Sequence, residues 1–170
     1  FYMGEHGWFD KRFMYEESFR TPLIIRYPAK IKAGSECTAL VQNIDYAPTY
    51  LDIAGIEKPD YMVGTSLVPL FGGETPKDWR EYLYYHYYDY PAIHMVRRHD
   101  GVRDSRYKLI HFYGEKNEHN DAINCNELYD LQSDPNELNN LYANPEYADI
   151  QTRQQARLDK FRVDQKVDEY

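Results

Sequence analysis

The stretch GEHGWFDKRFMYEESFRTPLIIRYP, residues 4–28, decides the interpretation of this sequence, because reactive side chains crowd just ahead of an apolar run. The reactive groups are a histidine, a lysine and a pair of glutamates: His6, Lys11, Glu16 and Glu17. The run TPLIIRYP, residues 21–28, alternates little and contains two prolines, which predicts a short buried strand of a parallel or mixed sheet. A loop this rich in reactive groups is either a surface lid or part of an active site.

The sequence after this strand predicts one further extended segment and one helix. TALVQNI, residues 38–44, is the extended segment. In DYAPTYLDIAG, Asp45 is a good N-cap, Pro48 lies in the first turn where its missing N–H costs nothing, and Gly55 ends the helix. Spacings of three and four residues predict an apolar face formed by Ile44, Ala47, Leu51 and Ala54.

The remaining sequence predicts a linker, a sheet and a closing helix. Residues 56–79 are punctuated by proline and glycine, so we interpret them as a linker between two lobes. Three aromatic runs separated by turn residues then predict a small antiparallel sheet: residues 80–90, 102–113 and 125–134. Residues 146–163 predict a helix whose apolar face comprises Tyr147, Ile150, Leu158 and Phe161. The expected fold class is α/β, with one domain over residues 1–75 and a second over residues 76–170.

Composition excludes several classes of partner. The formal net charge of −8 argues against nucleic acid, because phosphate binding needs a basic surface. No stretch approaches the roughly 20 apolar residues of a membrane span, so no membrane partner is expected. The 18 tyrosines suit wet, sugar-binding surfaces as well as half-buried strands. Cys37 and Cys125 form no C-x-x-C pair, which excludes a zinc or redox motif but leaves a single disulfide open.

The order of residues in the opening stretch resembles type I sulfatases, which are members of the alkaline-phosphatase-like superfamily. That family's pattern runs from a Gly-Glu-His-Gly turn through a lysine to Tyr-Glu, an arginine and Pro-Leu-Ile. The positions kept here are His6, Lys11, Tyr15, Glu16, Arg20 and Pro22. Residues 41–59 are similar to the family's next block, and residues 105–113 and 126–142 are similar to its carboxy-terminal subdomain. Four matches in the correct order cover most of the chain.

The family's nucleophile motif does not occur in this sequence. Type I sulfatases carry Cys-x-Pro-Ser-Arg or Ser-x-Pro-x-Arg, whose first residue becomes formylglycine, whereas Thr-Ala-Leu follows Cys37 and Asn-Glu-Leu follows Cys125. The resemblance therefore implies the carboxy-terminal fragment of a sulfatase, whose formylglycine and calcium ligands lie upstream. No metal ligand is expected in this chain, and its partner is the missing amino-terminal half. The resemblance also implies a periplasmic or secreted protein.

The resemblance assigns catalytic roles to two residues of the opening stretch. Lys11 is expected to contact sulfate, since a compact ammonium suits a point-charge contact with anionic oxygens. His6 either donates a hydrogen bond to the substrate or the departing oxygen, or braces the turn between Gly4 and Gly7. Glu16 and Arg20, four residues apart, are expected to form a structural pair that orients the loop.

A second group of expected site residues lies in PAIHMVRRHDGVR, residues 91–103. This stretch is similar to bacterial enzymes that act on sulfated glycosaminoglycan sugars, particularly 6-sulfated glucosamines. His94, His99 and Arg98 are therefore expected to bind the sulfated saccharide, and His86 is a weaker candidate. Two alternatives remain open, a phosphonate or phosphodiester hydrolase of the same superfamily and a non-catalytic carbohydrate-binding module.

Overall fold

The computed structural model describes residues 1–118 and 121–167, and the chain divides into two compact units. The first unit combines Phe1–Pro22 with the chain from Tyr84 onward, and the second is Leu23–Leu83. This division differs from the predicted boundary at residues 75 and 76. Residues 10–14, which we call the Lys11 loop, belong to the first unit because Met14 is buried against Ile110 and Phe112 of the sheet.

The helices and strands follow one another in chain order as β1 (Tyr2–Met3), β2 (Phe9–Asp10), α1 (Glu16–Phe19), α2 (Tyr46–Ile53), β3 (Tyr82–Tyr87), β4 (His99–Asp104), β5 (Tyr107–Gly114), β6 (Ile123–Asp130) and α3 (Ala148–Asp164). Strands β1 and β2 form an antiparallel hairpin. The larger sheet has the order β3-β4-β5-β6, and both β4–β5 and β5–β6 are antiparallel. The prediction of a mixed α/β fold with a small antiparallel sheet and a closing helix is confirmed.

Both faces of the larger sheet are covered, because successive side chains of a strand point to opposite sides. One face packs against α3, where Leu109 and Leu128 contact Leu158. The other face packs against Met14 at the end of the Lys11 loop. Gly101 permits this second contact, since a Cβ atom there would lie 2.4 Å from the Leu109 carbonyl oxygen and 2.6 Å from the Met14 sulfur.

The closing helix forms as the sequence predicts. A short 3₁₀ turn, Pro145–Tyr147, precedes α3, and the side chain of Asn144 accepts a hydrogen bond from the backbone N–H of Glu146. The four predicted apolar residues all belong to the cluster beneath the helix: Tyr147, Ile150, Leu158 and Phe161. Helix α3 therefore closes one face of the sheet. No helix within residues 1–118 and 121–167 is long and apolar enough to cross a membrane.

Helix α2 of the second unit also forms where predicted, after Asp45 and before Gly55, whose φ is 69°. The predicted apolar face is wrong, because Pro48 and Thr49 are the buried residues of the helix. Asp45 determines this orientation. Its buried carboxylate accepts two hydrogen bonds of 2.7 Å from Arg80, together with backbone bonds from residues 42 and 65.

The predicted linker is a folded part of the second unit. Leu67, Leu70 and Phe71 form its hydrophobic core, and Tyr27 and Trp79 pack against them. The linker prediction for residues 56–79 is therefore wrong. Proline and glycine make turns between core residues here, including the 3₁₀ turn Val68–Leu70, rather than an extended crossing.

The two predicted extended segments are not strands in the described part of the chain. Residues 21–28 and 38–44 have no strand partner there, and Ile24 is 92% exposed. A strand needs a hydrogen-bonded neighbour, so an apolar run alone does not produce one. Cys37 and Cys125 are both exposed free thiols, so the structure contains no disulfide between them.

Candidate active site

The Gly-Glu-His-Gly turn joins β1 to β2 through backbone conformations that favour glycine. Gly4 has a φ of 124° and Gly7 a φ of 70°. The N–H of Gly4 donates to the Trp8 carbonyl (2.9 Å), and the N–H of Trp8 donates to the Glu5 carbonyl (2.9 Å). His6 also lies in the left-handed region, with a φ of 52°, which is uncommon for a residue with a side chain. The sequence of this turn thus fixes a tight reversal immediately before the Lys11 loop.

His6 packs into the first unit. Its ring stacks on Tyr15 at a centroid distance of 4.1 Å and an interplanar angle of 7°, and it meets Tyr2 edge-on. Its Nε2 lies 3.6 Å from Oε2 of Glu17. Of the two predicted roles, these contacts favour bracing of the turn.

Lys11 is exposed between two residues with strained backbones. Asp10 has a φ of 89° and Arg12 a φ of 99°, a region that costs non-glycine residues roughly 1–3 kcal/mol each. The Lys11 side chain is exposed, and its positive charge is one of those that lower the pKa of the neighbouring Asp10 carboxyl. Strain of this kind often marks functional loops and persists only where the surrounding structure holds the backbone in place.

Three successive carbonyl groups after Lys11 are held by side chains. Tyr85 donates to the Arg12 carbonyl (2.8 Å), Tyr2 to the Phe13 carbonyl (3.2 Å) and Lys108 to the Met14 carbonyl (2.6 Å). The N–H of Arg12 in turn donates to Oγ of Ser18 (3.0 Å). The loop has no sheet ladder of its own beyond Asp10, so these side chains determine its backbone path.

Lys108 is completely buried beneath the Lys11 loop, and its ammonium contacts two carboxylates. Its Nζ lies 2.8 Å from Oε1 of Glu16 and 2.8 Å from Oε1 of Glu137. Glu137 Oε2 accepts a hydrogen bond of 2.6 Å from the backbone N–H of Glu16. We call Lys108, Glu16 and Glu137 the buried lysine network.

The pKa values of the two carboxylates of this network are shifted in opposite directions. Burial raises the pKa of Glu137, and Lys108 offsets only part of that effect. Burial also acts to raise the pKa of Glu16, but the charges of Lys108 and Arg103 outweigh it, so the net change is downward. The predicted pairing of Glu16 with Arg20 is wrong, since Glu16 pairs with Lys108 and Arg103 from the sheet.

His94 lies beside the Lys11 loop. Arg12 donates a hydrogen bond of 2.7 Å to Nε2 of His94, and Nδ1 of His94 lies 3.9 Å from Oδ2 of Asp10. The hydrogen bond from Arg12, together with the charges of Arg12, His94 and Lys11, holds the pKa of Asp10 below its ordinary value. We call Asp10, Arg12 and His94 the polar cluster. Two members of this cluster, Asp10 and Arg12, adjoin Lys11 in the chain, and all three side chains are exposed or half-buried.

Arg98 and His86 contact the protein itself. Arg98 donates to the carbonyls of Tyr88 (3.3 Å) and Tyr90 (2.8 Å), which holds the segment leading to His94. Nε2 of His86 lies 2.6 Å from the Tyr113 hydroxyl. These contacts give Arg98 a role in shaping the segment before His94 and tie His86 to the sheet.

His99 is fully buried, so its side chain has no exposed surface with which to make the predicted contact with the sugar. Its ring stacks on Phe13 and Tyr87, and Nδ1 lies 2.8 Å from the Arg97 carbonyl. Burial lowers the pKa of His99 to about 4. His99 is therefore a neutral packing residue between the sheet and the Lys11 loop.

The sequence analysis predicts Lys11 and His94 as site residues but does not name the groups around them. Asp10 and Arg12 stand directly beside Lys11 in the sequence, so their adjacency was a usable signal. The one sequence feature that pointed to Lys108 was a charged residue within an otherwise apolar strand. No cluster of three or more His, Cys, Asp or Glu residues that could hold a metal ion occurs in residues 1–118 and 121–167.

Comparison with known proteins places this chain among sulfatases. The N-acetylglucosamine-6-O-sulfatase of Bacteroides thetaiotaomicron is 55% identical over 150 residues, which are 87% of this chain and 26% of that protein. A solved structure of a protein in complex with its substrate, D-glucosamine-2-N,6-O-disulfate, matches with a TM-score of 0.88 at 51% identity, covering 95% of this chain and 32% of that one.

A more distant structure is the phosphonate monoester hydrolase of Agrobacterium radiobacter. It matches with a TM-score of 0.56 at 27% identity and covers 72% of this chain and 24% of that one. The chain thus spans much less than half the length of each of these proteins. The family described as "N-sulphoglucosamine sulphohydrolase, C-terminal" matches residues 4–164, and the chain belongs to this family of sulfatase carboxy-terminal domains.

Proposed function

We propose that this chain is the carboxy-terminal part of a sulfatase that hydrolyses sulfate esters of 6-O-sulfated glucosamines. The observation that carries the proposal is the Lys11 loop, which presents an exposed ammonium from a backbone fixed at three successive carbonyls. The 55% identical relative is named an N-acetylglucosamine-6-O-sulfatase, which supports this substrate class. Below, "the complete protein" means the longer sulfatase that we propose contains this chain.

Lys11 acts on the sulfate group in this proposal. Negative charge develops on oxygen as the S–O bond of a sulfate ester breaks, and a preorganised cation stabilises that charge more in the transition state than in the substrate. The side-chain hydrogen bonds to the Arg12, Phe13 and Met14 carbonyls reduce the reorganisation that the loop needs during the reaction. Lys11 thereby lowers the barrier by charge, without accepting or donating a proton.

The polar cluster binds the sugar in this proposal. The Asp10 carboxylate stays ionised and accepts hydrogen bonds from hydroxyl groups, while Arg12 donates them. His94 lies close enough to Asp10 and Arg12 for the three side chains to contact neighbouring hydroxyls of one ring. We assign no sugar contact to His99, because it is buried.

We further propose that calcium and formylglycine act in the complete protein through residues outside this chain. The described residues contain no cluster that fits a metal ion, and neither cysteine lies in a formylglycine motif. In this proposal the chain contributes substrate binding and charge stabilisation to the reaction.

The two alternative functions have weaker support. The phosphonate monoester hydrolase shares 27% identity with this chain, against 51% for the solved complex with a sulfated glucosamine. A non-catalytic carbohydrate-binding module would not require the strained backbone on either side of Lys11.

The proposal is tested by giving the complete protein matched esters. We expect release of sulfate, measured by ion chromatography, from 6-O-sulfated glucosamine or N-acetylglucosamine, with a kcat/KM at least tenfold above that for a phosphonate monoester. Hydrolysis of the phosphonate at the higher kcat/KM would contradict the sulfatase assignment. Binding of the sugar with no hydrolysis of either ester would favour the carbohydrate-binding module.

A further inference from the structure

We propose that the buried lysine network is a positioning device for Lys11. The inference rests on the proposed function for its catalytic consequence, but its structural part concerns the Lys11 loop alone. Within residues 1–118 and 121–167, the polar contacts of Lys108, Glu16 and Glu137 include neither Lys11 nor the polar cluster, so these three are positioning residues rather than catalytic ones.

The ammonium of Lys108 donates a hydrogen bond to one backbone carbonyl and forms ion pairs with two carboxylates. These three oxygens around Nζ are the Met14 carbonyl (2.6 Å), Glu16 Oε1 (2.8 Å) and Glu137 Oε1 (2.8 Å). Two of the three belong to the segment that directly follows Lys11 in the chain. Strand β5 therefore holds the segment leaving the Lys11 loop through a single charged side chain.

Glu137 completes the arrangement from a different part of the fold. Its backbone has a φ of 52°, and its side chain reaches the first N–H of α1 at Glu16 as well as Lys108. One carboxylate thus binds the start of α1 and the lysine that binds Met14. Removing its charge would loosen two of the points that hold the chain after Lys11.

Stability alone is a poor explanation for a buried network of this kind. Replacing a buried ion pair by apolar side chains of similar volume is often neutral or stabilising, because desolvation opposes the attraction between charges. The backbones of Asp10 and Arg12 are strained, and such conformations persist only where the surroundings over-determine them. A network that fixes Met14 and Glu16 supplies that constraint close to the strained positions.

The experiment compares Glu137→Gln with a matched control in the complete protein. Glu137→Gln keeps the shape of the side chain and removes its charge. The control, Asp100→Asn, removes a charge that is equally buried but pairs with Arg162 of α3 at 2.7 Å, on the helix side of the sheet. Both variants lose one buried carboxylate that is paired with a cation, so they should lower Tm to a similar extent.

Hydrogen exchange reports on the loop without any assay of activity. In Glu137→Gln, we expect amide exchange in residues 12–20 to rise at least tenfold at a temperature where the protein is folded, and in Asp100→Asn to stay within threefold of wild type. Unchanged exchange in Glu137→Gln, or an equal rise in both variants, would overturn the positioning role.

Steady-state kinetics adds the catalytic consequence. We expect Glu137→Gln to lower kcat on a sulfate ester more than tenfold with KM changed less than threefold, whereas Asp100→Asn keeps kcat within threefold. An unchanged kcat in Glu137→Gln would overturn the proposal even if the loop loosens. If wild-type complete protein hydrolyses no sulfate ester, the proposed function fails, and the exchange comparison still decides the structural part. Lys108→Arg, which retains the charge, should lose less kcat than Lys108→Met.

Discussion

Replacing His99 with asparagine should flatten the pH dependence of stability between pH 6.5 and pH 4. Asparagine can present an N–H close to where Nδ1 of His99 meets the Arg97 carbonyl, but it cannot titrate in this range. His99 is fully buried among aromatic rings, so its neutral form is strongly preferred in the folded protein. The substitution therefore removes one acid-sensitive group.

The magnitude follows from the pKa of His99, which is about 4 in the folded protein against an ordinary value of 6.5. Above pH 6.5 the residue is neutral in both states and has no effect on the pH dependence. As the pH falls from 6.5 toward 4, the unfolded state binds a proton that the folded state does not, so stability is lost. Each pH unit is equivalent to about 1.36 kcal/mol, which gives a loss of about 3 kcal/mol in total.

The assay is chemical denaturation of the complete protein and of His99→Asn at several pH values. The absolute stability of the variant will differ because asparagine leaves a cavity, so the readout is the difference between the two pH profiles. Carboxylates titrate in both proteins and largely cancel in that difference. We expect the gap between the profiles to change by about 3 kcal/mol between pH 7 and pH 4. Parallel profiles would refute the assignment of His99 as a buried neutral residue.

Two further predictions concern the polar cluster and the sheet. His94→Ala should lower kcat/KM on a sulfated saccharide by roughly 10- to 100-fold, the scale of one or two lost hydrogen bonds. On a small aryl sulfate, kcat/KM should stay within threefold of wild type. An equal fall on both substrates would contradict a sugar contact. Gly101→Ala should destabilise the protein by about 1–3 kcal/mol through overpacking against Leu109 and Met14, seen as a lower denaturation midpoint; an unchanged midpoint would contradict that close packing.

The sequence was most informative where the pattern of side chains was set by local geometry. The aromatic runs that became β3, β5 and β6 and the apolar face of α3 were both predictable, since strand and helix periods place their side chains without reference to distant residues. Strand β4 begins outside those runs and was not predicted as a separate strand. The strand predicted at residues 21–28 failed because strand formation depends on a neighbour. The predicted apolar face of α2 was wrong because the orientation of the helix depends on the buried Asp45, whose carboxylate accepts hydrogen bonds from Arg80 and from backbone N–H groups. The spacing of hydrophobic residues carries no information about these polar contacts.

The candidate site was predictable only in part for the same reason. Lys11 was predicted because its neighbours in the sequence form a family pattern. Lys108, Tyr85 and Glu137 contact residues that lie 73 or more positions away in the chain, so no local pattern indicated them. His99 and His94 look equivalent in sequence, but strand β4 turns the first into the core while the second stays exposed beside Arg12.

The central claim is that Lys11 of this chain stabilises charge on the sulfate during hydrolysis, and kcat of Lys11→Ala tests it most directly. The assay measures sulfate release from 6-O-sulfated glucosamine by the complete protein, with Lys30→Ala as a control for loss of an exposed lysine in the second unit. Loss of one preorganised charge contact typically raises the barrier by about 2.7–4 kcal/mol, so kcat should fall by roughly 10²- to 10³-fold while Lys30→Ala stays within twofold of wild type. A kcat for Lys11→Ala within threefold of wild type would contradict the account.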